Sequence, residues 1–203
     1  KITKKELVPL VRDLADWVRL HHPDDRVAII KYAKGGSSLH TDWQPDGTTS
    51  SGADGPCYRC FQETVAAGLR ALRADPALVG LAPRIAGMLW IQGESDTDGQ
   101  HDYAANLKLL ITDVHQTYGD IPFFISGLSF NQTVFTKGSA GARNAFEQVR
   151  TAQKTVASRN PPCAFIDTDG ADFTVRPDGV HFDQAGQQML GRAFAAAAIT
   201  TLE

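Results

Sequence analysis

The sequence predicts one three-layer α/β/α domain built around a parallel sheet. Short, nearly continuous apolar runs alternate along the chain with longer segments in which apolar residues recur every three or four positions. Strands that alternate with helices pair in parallel through right-handed crossovers, which places helices on both faces of the sheet. The length of 203 residues suits one hydrophobic core. We therefore expect a single domain over residues 1–203.

The predicted helices share an apolar stripe at helical spacing. The first carries this stripe from Leu7 to Leu20 and ends before Pro23, which cannot continue a helix. The last begins after Asp183, a residue type that commonly caps a helix N-terminus. The five helices are predicted over residues 6–21, 58–73, 103–118, 142–159 and 184–198.

The predicted strands are short apolar runs without the alternation of a half-exposed strand. Such runs are typical of strands that are buried on both faces of a parallel sheet. The first run is closed by Gly35 and Gly36, and the second ends just after Trp90. The four strands are predicted over residues 27–33, 85–91, 121–126 and 163–167.

The first predicted helix has no strand before it. In a flavodoxin-like sheet the strand order is 2-1-3-4-5, so the first strand lies in the centre. Without that strand, two backbone ladders would be left unpaired. We therefore expect the native fold to include a central strand from an N-terminal peptide of the same protein, upstream of Lys1. The alternative is a complete four-stranded sheet.

Composition argues against several classes of function. A formal net charge of -3, without a basic stripe, gives no field that would gather nucleic acid. The longest apolar stretches, such as residues 193–199, fall far short of the roughly 20 residues that span a bilayer, so no membrane partner is expected. No signal peptide is visible, yet Lys1 begins inside an amphipathic pattern, so a secreted or periplasmic location stays compatible with the sequence.

The cysteines leave two alternatives open. Cys57-Tyr-Arg-Cys60 is half of a four-cysteine zinc site, and no second pair or histidine cluster lies near it in the sequence. Cys57 and Cys60 are therefore expected to form either a local disulfide or two free thiols, and no metal is expected.

Two polar segments follow the first two predicted strands, at the sheet edge where ligands bind in open α/β folds. Gly35 and Gly36 let the backbone approach a substrate and point an N–H at it, although a simple turn also accounts for such a pair. The Gln92 amide is suited to donate to an oxyanion. Glu94 and Asp96 are suited either to face the same site or to fix the loop as acceptors.

A third segment contains Asp178 and His181, three residues apart within one turn. At this spacing the carboxylate can accept a hydrogen bond from Nδ1 of the imidazole, which leaves Nε2 free to act as a base. Asp183 is expected to cap the following helix. The alternatives for His181 are a structural histidine or half of a metal site formed with Asp183.

In this order and at these strand ends, the three segments resemble the sialate O-acetylesterase and acetylxylan-esterase branch of the SGNH hydrolases. The resemblance is carried by Lys34-Gly-Gly-Ser-Ser, Trp90-Ile-Gln-Gly-Glu-Ser-Asp and Asp178-Gly-Val-His-Phe, and it extends over nearly the whole chain. It implies a flavodoxin-like SGNH-hydrolase fold without a cofactor. It implies His181 as the base and Asp178 as its partner. The residues that it implies for oxyanion or substrate binding are Gly35, Gly36, Gln92 and Glu94.

The family's Gly-Gln-Ser-Asn block, which supplies the nucleophilic serine after the first strand, does not occur in these 203 residues. We therefore expect the serine upstream of Lys1, on the same strand that the fold lacks. Ser37, Ser38 and Ser95 are weaker candidates, because the family's nucleophile stands on a different strand end. The resulting hypothesis is a serine carboxylic-ester hydrolase that removes acetyl or other short acyl groups from the hydroxyls of an acylated carbohydrate.

Two rival functions follow from the same residues. A non-catalytic carbohydrate-binding or interaction protein would have kept the pocket and lost the serine. A metal-dependent hydrolase would use Asp178, His181 and Asp183. The loops over residues 44–56 and 130–141 flank the same edge and are expected to shape the cleft, with Trp43 either stacking on a sugar or packing on the core.

Overall fold

The computed structural model describes residues 8–45, 54–99 and 101–202, and in these residues it has the layered α/β architecture that the sequence predicts. Most of the loop expected over residues 44–56 lies outside the described residues. The strands are β1 (Met88–Trp90), β2 (Phe123–Ser126) and β3 (Cys163–Ile166). The helices are α1 (Val8–His21), α2 (Leu39–Asp42), α3 (Pro56–Ala74), α4 (Tyr103–Tyr118), α5 (Thr133–Thr136), α6 (Ala140–Arg159) and α7 (Gln184–Leu202).

The sheet is parallel, in the order β1-β2-β3. Leu89 lies beside Phe124, which lies beside Ala164 on its other side. Helix α4 connects β1 to β2 and α6 connects β2 to β3, which are the crossover connections that parallel strands require. Since the strands run in the same direction, the loops that follow them leave from one edge of the sheet.

Helices cover both faces of the sheet. Successive side chains of a strand point to opposite faces, so Phe123 and Ile125 pack into one apolar cluster with α3, α4 and α6. Phe124 packs into the other cluster, beneath α7. Helix α1 packs against α7 and contributes Leu14 to that second cluster. The result is the three-layer arrangement that the alternating pattern predicts.

The helix predictions are confirmed, with small shifts at the ends. Helix α4 matches its predicted bounds because Asp102 caps it, the side chain accepting a hydrogen bond from Ala105 N at 3.0 Å. Helix α6 begins two residues early because Ser139 is its cap and accepts from Ala142 N at 3.2 Å. No helix among the described residues is long and apolar enough to cross a bilayer.

The strand predicted over residues 27–33 is not formed, and this prediction was wrong. Ile29 packs into the cluster beneath α7, whereas Ile30 lies against Gly68 of α3, so neighbouring side chains face opposite helical layers as in a strand. However, the segment forms no ladder with any described strand, and within the described residues β1 is paired on one edge only. Apolar side chains position a segment between layers, but only a neighbouring backbone makes it a strand.

The residues around Trp43 pack into the core. Trp43 is buried, and its ring lies edge-on to Trp90 with 5.1 Å between the ring centroids. Its indole N–H donates to Ser37 Oγ at 2.9 Å. Of the two expectations for Trp43, packing on the core is confirmed and stacking on a sugar is wrong. Cys57 and Cys60, which begin α3 nearby, are free thiols in the structure.

Candidate active site

The loop between β3 and α7 brings Asp178 and His181 into contact. His181 Nδ1 lies 3.0 Å from Asp178 Oδ2. Asp178 Oδ1 accepts the backbone N–H groups of Val180 and His181 at 2.8 and 2.9 Å. One carboxyl oxygen therefore fixes the turn, while the other faces the imidazole. A proton on Nδ1 in this contact leaves Nε2 as the free acceptor, which is the arrangement of a general base and its orienting carboxylate.

The same hydrogen bonds lower the pKa of Asp178 to about 2 from its ordinary 3.8. The largest cause is the backbone N–H of His181, followed by the N–H of Val180 and the imidazole. Asp178 therefore stays ionised throughout the neutral pH range and is available to stabilise a protonated His181.

We expect a ¹³C NMR titration of the Asp178 carboxyl to give a midpoint near 2. Because this pKa is lower in the folded than in the unfolded chain, the group stabilises the fold above its unfolded pKa and loses that effect as the pH falls through about 2. In His181→Ala the midpoint should rise yet stay below 3.8, since both backbone donors remain. A wild-type midpoint at 3.8 would show that the backbone bonds do not form in solution.

Asp183 has the capping role that the sequence predicts. Its Oδ1 accepts the backbone N–H of Gly186 at 2.9 Å and the hydroxyl of Thr174 at 2.7 Å, at the start of α7. The hydrogen bonds of this carboxylate are therefore used to cap α7. Within the described residues, no three His, Cys, Asp or Glu side chains are grouped so that they could hold a metal ion.

Gln92 follows β1, and both of its amide hydrogens are donated to acceptors within the protein. Its Nε2 donates to Asp96 Oδ2 at 2.5 Å and to Ser37 O at 3.2 Å. Its Oε1 accepts the hydroxyl of buried Tyr103 at 3.1 Å. Gln92 is therefore held rigidly, and an oxyanion would have to compete with Ser37 O, the more distant acceptor, for an amide hydrogen.

Asp96 joins the Gln92 loop to the first turn of α2. Its buried carboxylate accepts the backbone N–H groups of Leu39 at 2.8 Å and His40 at 3.2 Å, in addition to the Gln92 amide. Of the two roles that the sequence allowed, loop fixing is the one that Asp96 performs. Burial of a carboxylate is tolerated here because three donors satisfy it.

Gly35 and Gly36 keep their N–H groups free of hydrogen bonds within the described part of the chain. Gly36 has a φ of +68°, a conformation that favours glycine, and a Cβ added to either residue would meet no atom within 4 Å. Both glycines are exposed, one to two residues before Ser37, whose carbonyl accepts from Gln92. They are therefore available to a bound oxyanion.

Glu94 fixes one loop to another. Its Oε1 accepts a hydrogen bond at 3.0 Å from Nε2 of Gln132, a residue just before α5. Gln132 also donates to Val180 O at 2.8 Å, next to His181. The Gln132 side chain therefore joins the Gln92 loop to the His181 loop. The bond from Gln92 to Ser37 O joins the Gln92 loop to the loop of Gly35 and Gly36.

Two of the three serine candidates inside the chain, Ser37 and Ser38, have structural roles, whereas Ser95 is exposed. Ser37 is buried, and its hydroxyl donates to Lys34 O at 2.8 Å while it accepts from the indole of Trp43. Ser38 caps α2, accepting from Thr41 N at 3.2 Å. Among the described hydrogen bonds of His181, all partners belong to Asp178 and to Arg176, so no serine hydroxyl lies on its Nε2.

Sequence reasoning missed two buried glutamines beneath the site, Gln132 and Gln153. Gln153, on α6, donates to Gln92 O at 2.8 Å and accepts from Leu128 N at 2.9 Å. The available signal was weak: Gln132 lies in a polar stretch that follows the strand over residues 121–126, and Gln153 interrupts the apolar face of α6.

Comparisons with known proteins identify the family and the fold. A family model described as "SASA: Carbohydrate esterase, sialic acid-specific acetylesterase" matches residues 7–200. The X-ray structure of an Arabidopsis thaliana protein at 1.6 Å resolution is similar, with a TM-score of 0.67 and 19% sequence identity over 94% of this chain and 66% of that chain. The chain thus spans just under two thirds of that structure's length. A search of curated proteins found no significant match.

Proposed function

The chain belongs to the family of carbohydrate esterases described as sialic acid-specific acetylesterases, and from this premise we propose that it removes acetyl or other short acyl groups from carbohydrate hydroxyls. The observation that carries the proposal is the contact between Asp178 Oδ2 and His181 Nδ1, at 3.0 Å, in a loop joined to the Gln92 loop. Such a pair can accept a proton from a serine and return it to a leaving sugar oxygen.

The proposed reaction has two halves. A serine Oγ attacks the ester carbonyl carbon while its proton passes to Nε2 of His181, and the carbonyl electron pair moves onto oxygen. Collapse of this tetrahedral intermediate breaks the bond to the sugar oxygen, which takes the proton from His181. Water then attacks the acyl-enzyme in the same manner, and the carboxylic acid and the serine are released.

The N–H groups of Gly35 and Gly36 are the proposed donors to the oxyanion, because they are unpaired in the described residues and both glycines are exposed. Gln92 is the second proposed donor. To act, it exchanges its 3.2 Å bond with Ser37 O for one with the oxyanion, while its bond to Asp96 keeps the amide in place.

The serine is proposed to arrive on a strand supplied by residues that precede Lys1. Two observations support this: among the described residues β1 is paired on one edge only, and Ile29 and Ile30 face opposite helical layers although residues 27–33 have no described ladder partner. A parallel strand that paired with both would complete the sheet, and its carboxyl end would lie among the three loops.

Comparing this 203-residue chain with the same chain extended upstream tests the proposal. We expect the extended protein to hydrolyse p-nitrophenyl acetate and the 203-residue chain to show only background hydrolysis. Serine-to-alanine substitution in the added strand should remove the activity, since the nucleophile is then lost. Equal kcat/KM for both chains would mean that the serine lies within residues 1–203.

A non-catalytic carbohydrate-binding protein is the second candidate. It is favoured by one observation, that no described serine hydroxyl contacts His181. Under this alternative the extended protein would bind an acetylated sugar by isothermal titration calorimetry and leave the acetyl group in place over hours, as followed by ¹H NMR.

A further inference from the structure

The loop that carries the proposed base is well ordered internally. Val175 and Phe182 form an antiparallel bridge across it, and Arg176 N donates to His181 O at 2.7 Å. With the bonds inside the Asp178 turn, these contacts fix the shape of the pair. They do not fix where the pair stands relative to the oxyanion donors.

Packing of Phe182 into the apolar cluster beneath α7 anchors the loop after His181, but the side chains of the pair itself are not packed. The side chains of His181 and Asp178 are 64% and 45% exposed. Exposed polar side chains are held by the backbone that carries them, so the contacts of the loop tip decide where Nε2 lies.

Among the described residues, two hydrogen bonds reach the loop tip from Gln132 and α5. Val134 N donates to Gly179 O at 3.2 Å, and Gln132 Nε2 donates to Val180 O at 2.8 Å. Gly179 has a φ of +69°, and a Cβ there would come within 2.6 Å of Thr133 Oγ1, so the tip lies directly against this turn. Val180 immediately precedes His181, so the Gln132 bond restrains the backbone on that side of the base, opposite Phe182.

The second amide hydrogen of Gln132 goes to the opposite side of the site, to Glu94 Oε1 at 3.0 Å. Glu94 is two residues from Gln92, in the loop that supplies the proposed oxyanion donor. Gln132 Oε1 accepts from Ser129 N at 2.9 Å, so the side chain uses both donors and its acceptor, and it is only 1% exposed. A buried amide with every partner in place is a rigid link.

From this geometry we infer that Gln132 is a positioning residue that sets the separation between His181 and the Gln92 loop by binding Val180 O and Glu94 at once. The inference deepens the proposed esterase function and rests on it for the consequence in catalysis. A side chain with two donors at this reach is needed, since a carboxylate there would face the acceptors of Glu94 and Val180.

Gln132→Met is the test, because it keeps the length of the side chain and removes its hydrogen bonds. In the extended protein we expect kcat for p-nitrophenyl acetate to fall by about 10²-fold, the loss that a misplacement of about 1 Å can produce, with KM changed much less. The matched control is Gln62→Met in α3: Gln62 also bonds two side chains, those of Tyr58 and Tyr118, but at the α3–α4 contact. Gln62→Met should lower the free energy of unfolding by an amount comparable to Gln132→Met and leave kcat unchanged.

Amide hydrogen exchange gives a second readout that does not depend on catalysis. In Gln132→Met the amides of Gly179, Val180 and His181 should exchange at least tenfold faster, whereas in Gln62→Met they should keep their wild-type rates. Unchanged exchange at these amides in Gln132→Met overturns the inference. If the wild-type protein hydrolyses no ester, the proposed function fails, and the exchange rates alone decide whether Gln132 links the loops. A fall in kcat that Gln62→Met matches would reduce Gln132 to a purely stabilising role and also overturn the inference.

Discussion

Replacing His181 by alanine is expected to lower kcat/KM of the extended protein for p-nitrophenyl acetate by about 10⁴-fold, the upper end of what a general base contributes. The expectation follows from the contact of Nδ1 with Asp178 Oδ2 at 3.0 Å, which leaves Nε2 to take the serine proton. The melting temperature should stay unchanged, because the His181 side chain is 64% exposed and its side-chain partner is Asp178.

His21→Ala is the matched control, because His21 is also exposed and its Nδ1 lies 2.9 Å from a backbone oxygen, Trp17 O. This variant should retain full activity. Asp178→Asn tests whether the carboxylate selects the imidazole tautomer. The amide nitrogen of the new side chain would favour the opposite tautomer, with the proton on Nε2. We expect a loss of similar order. Retention of more than about a tenth of the activity in His181→Ala would exclude this residue as the base.

The second large effect is expected for Gly93→Ala, which should lower the free energy of unfolding by about 2–5 kcal/mol. Gly93 has a φ of +148°, where residues with a side chain are strained. A Cβ there would also lie 2.9 Å from Gln153 Nε2 and 3.1 Å from Val149 Cγ1. Because Gln153 holds Gln92 O, the clash falls on the support of the proposed oxyanion donor. Urea unfolding followed by circular dichroism measures the effect.

Gly141→Ala controls for the general consequence of adding a methyl group. Gly141 lies in the first turn of α6, and a Cβ there would meet only Ser139 Oγ, at 3.9 Å. It should leave stability unchanged or raise it by up to about 1 kcal/mol, because alanine is the better helix former. Equal unfolding free energies for Gly93→Ala and Gly141→Ala would mean that the Gly93 backbone relaxes without cost.

The sequence predicts the helical layers well because their signals are local. The stripe and the caps of α4 and α6 lie within a few positions of the residues they govern, as Asp102 and Ser139 show. Whether residues 27–33 form a strand depends instead on a neighbouring backbone, which apolar composition cannot report. The same segment therefore has the side-chain placement of a strand but no ladder partner in the part of the chain that the structure describes.

In the candidate site, too, the local contacts could be predicted from the sequence and the long-range contacts could not. The turn of Asp178 and His181 is visible in the sequence because three-residue spacing alone brings the two side chains together. The partners of Gln132 lie 38 and 48 residues away, and Gln153 is 61 residues from Gln92, so their bonds depend on the folded chain. The sequence also could not predict that both amide hydrogens of Gln92 are already bonded, because one of the two acceptors, Ser37 O, is 55 residues away.

Within the described residues β1 is paired on one edge only, and this has a consequence for the behaviour of the chain in solution. Met88, Leu89 and Trp90 carry no charge, and neither a proline nor a lysine in the strand discourages another chain from pairing with them. Residues 27–33 add a second apolar segment without a described ladder partner. Two copies of the chain can satisfy these backbone groups on each other, so we expect the 203-residue chain to self-associate increasingly as its concentration rises.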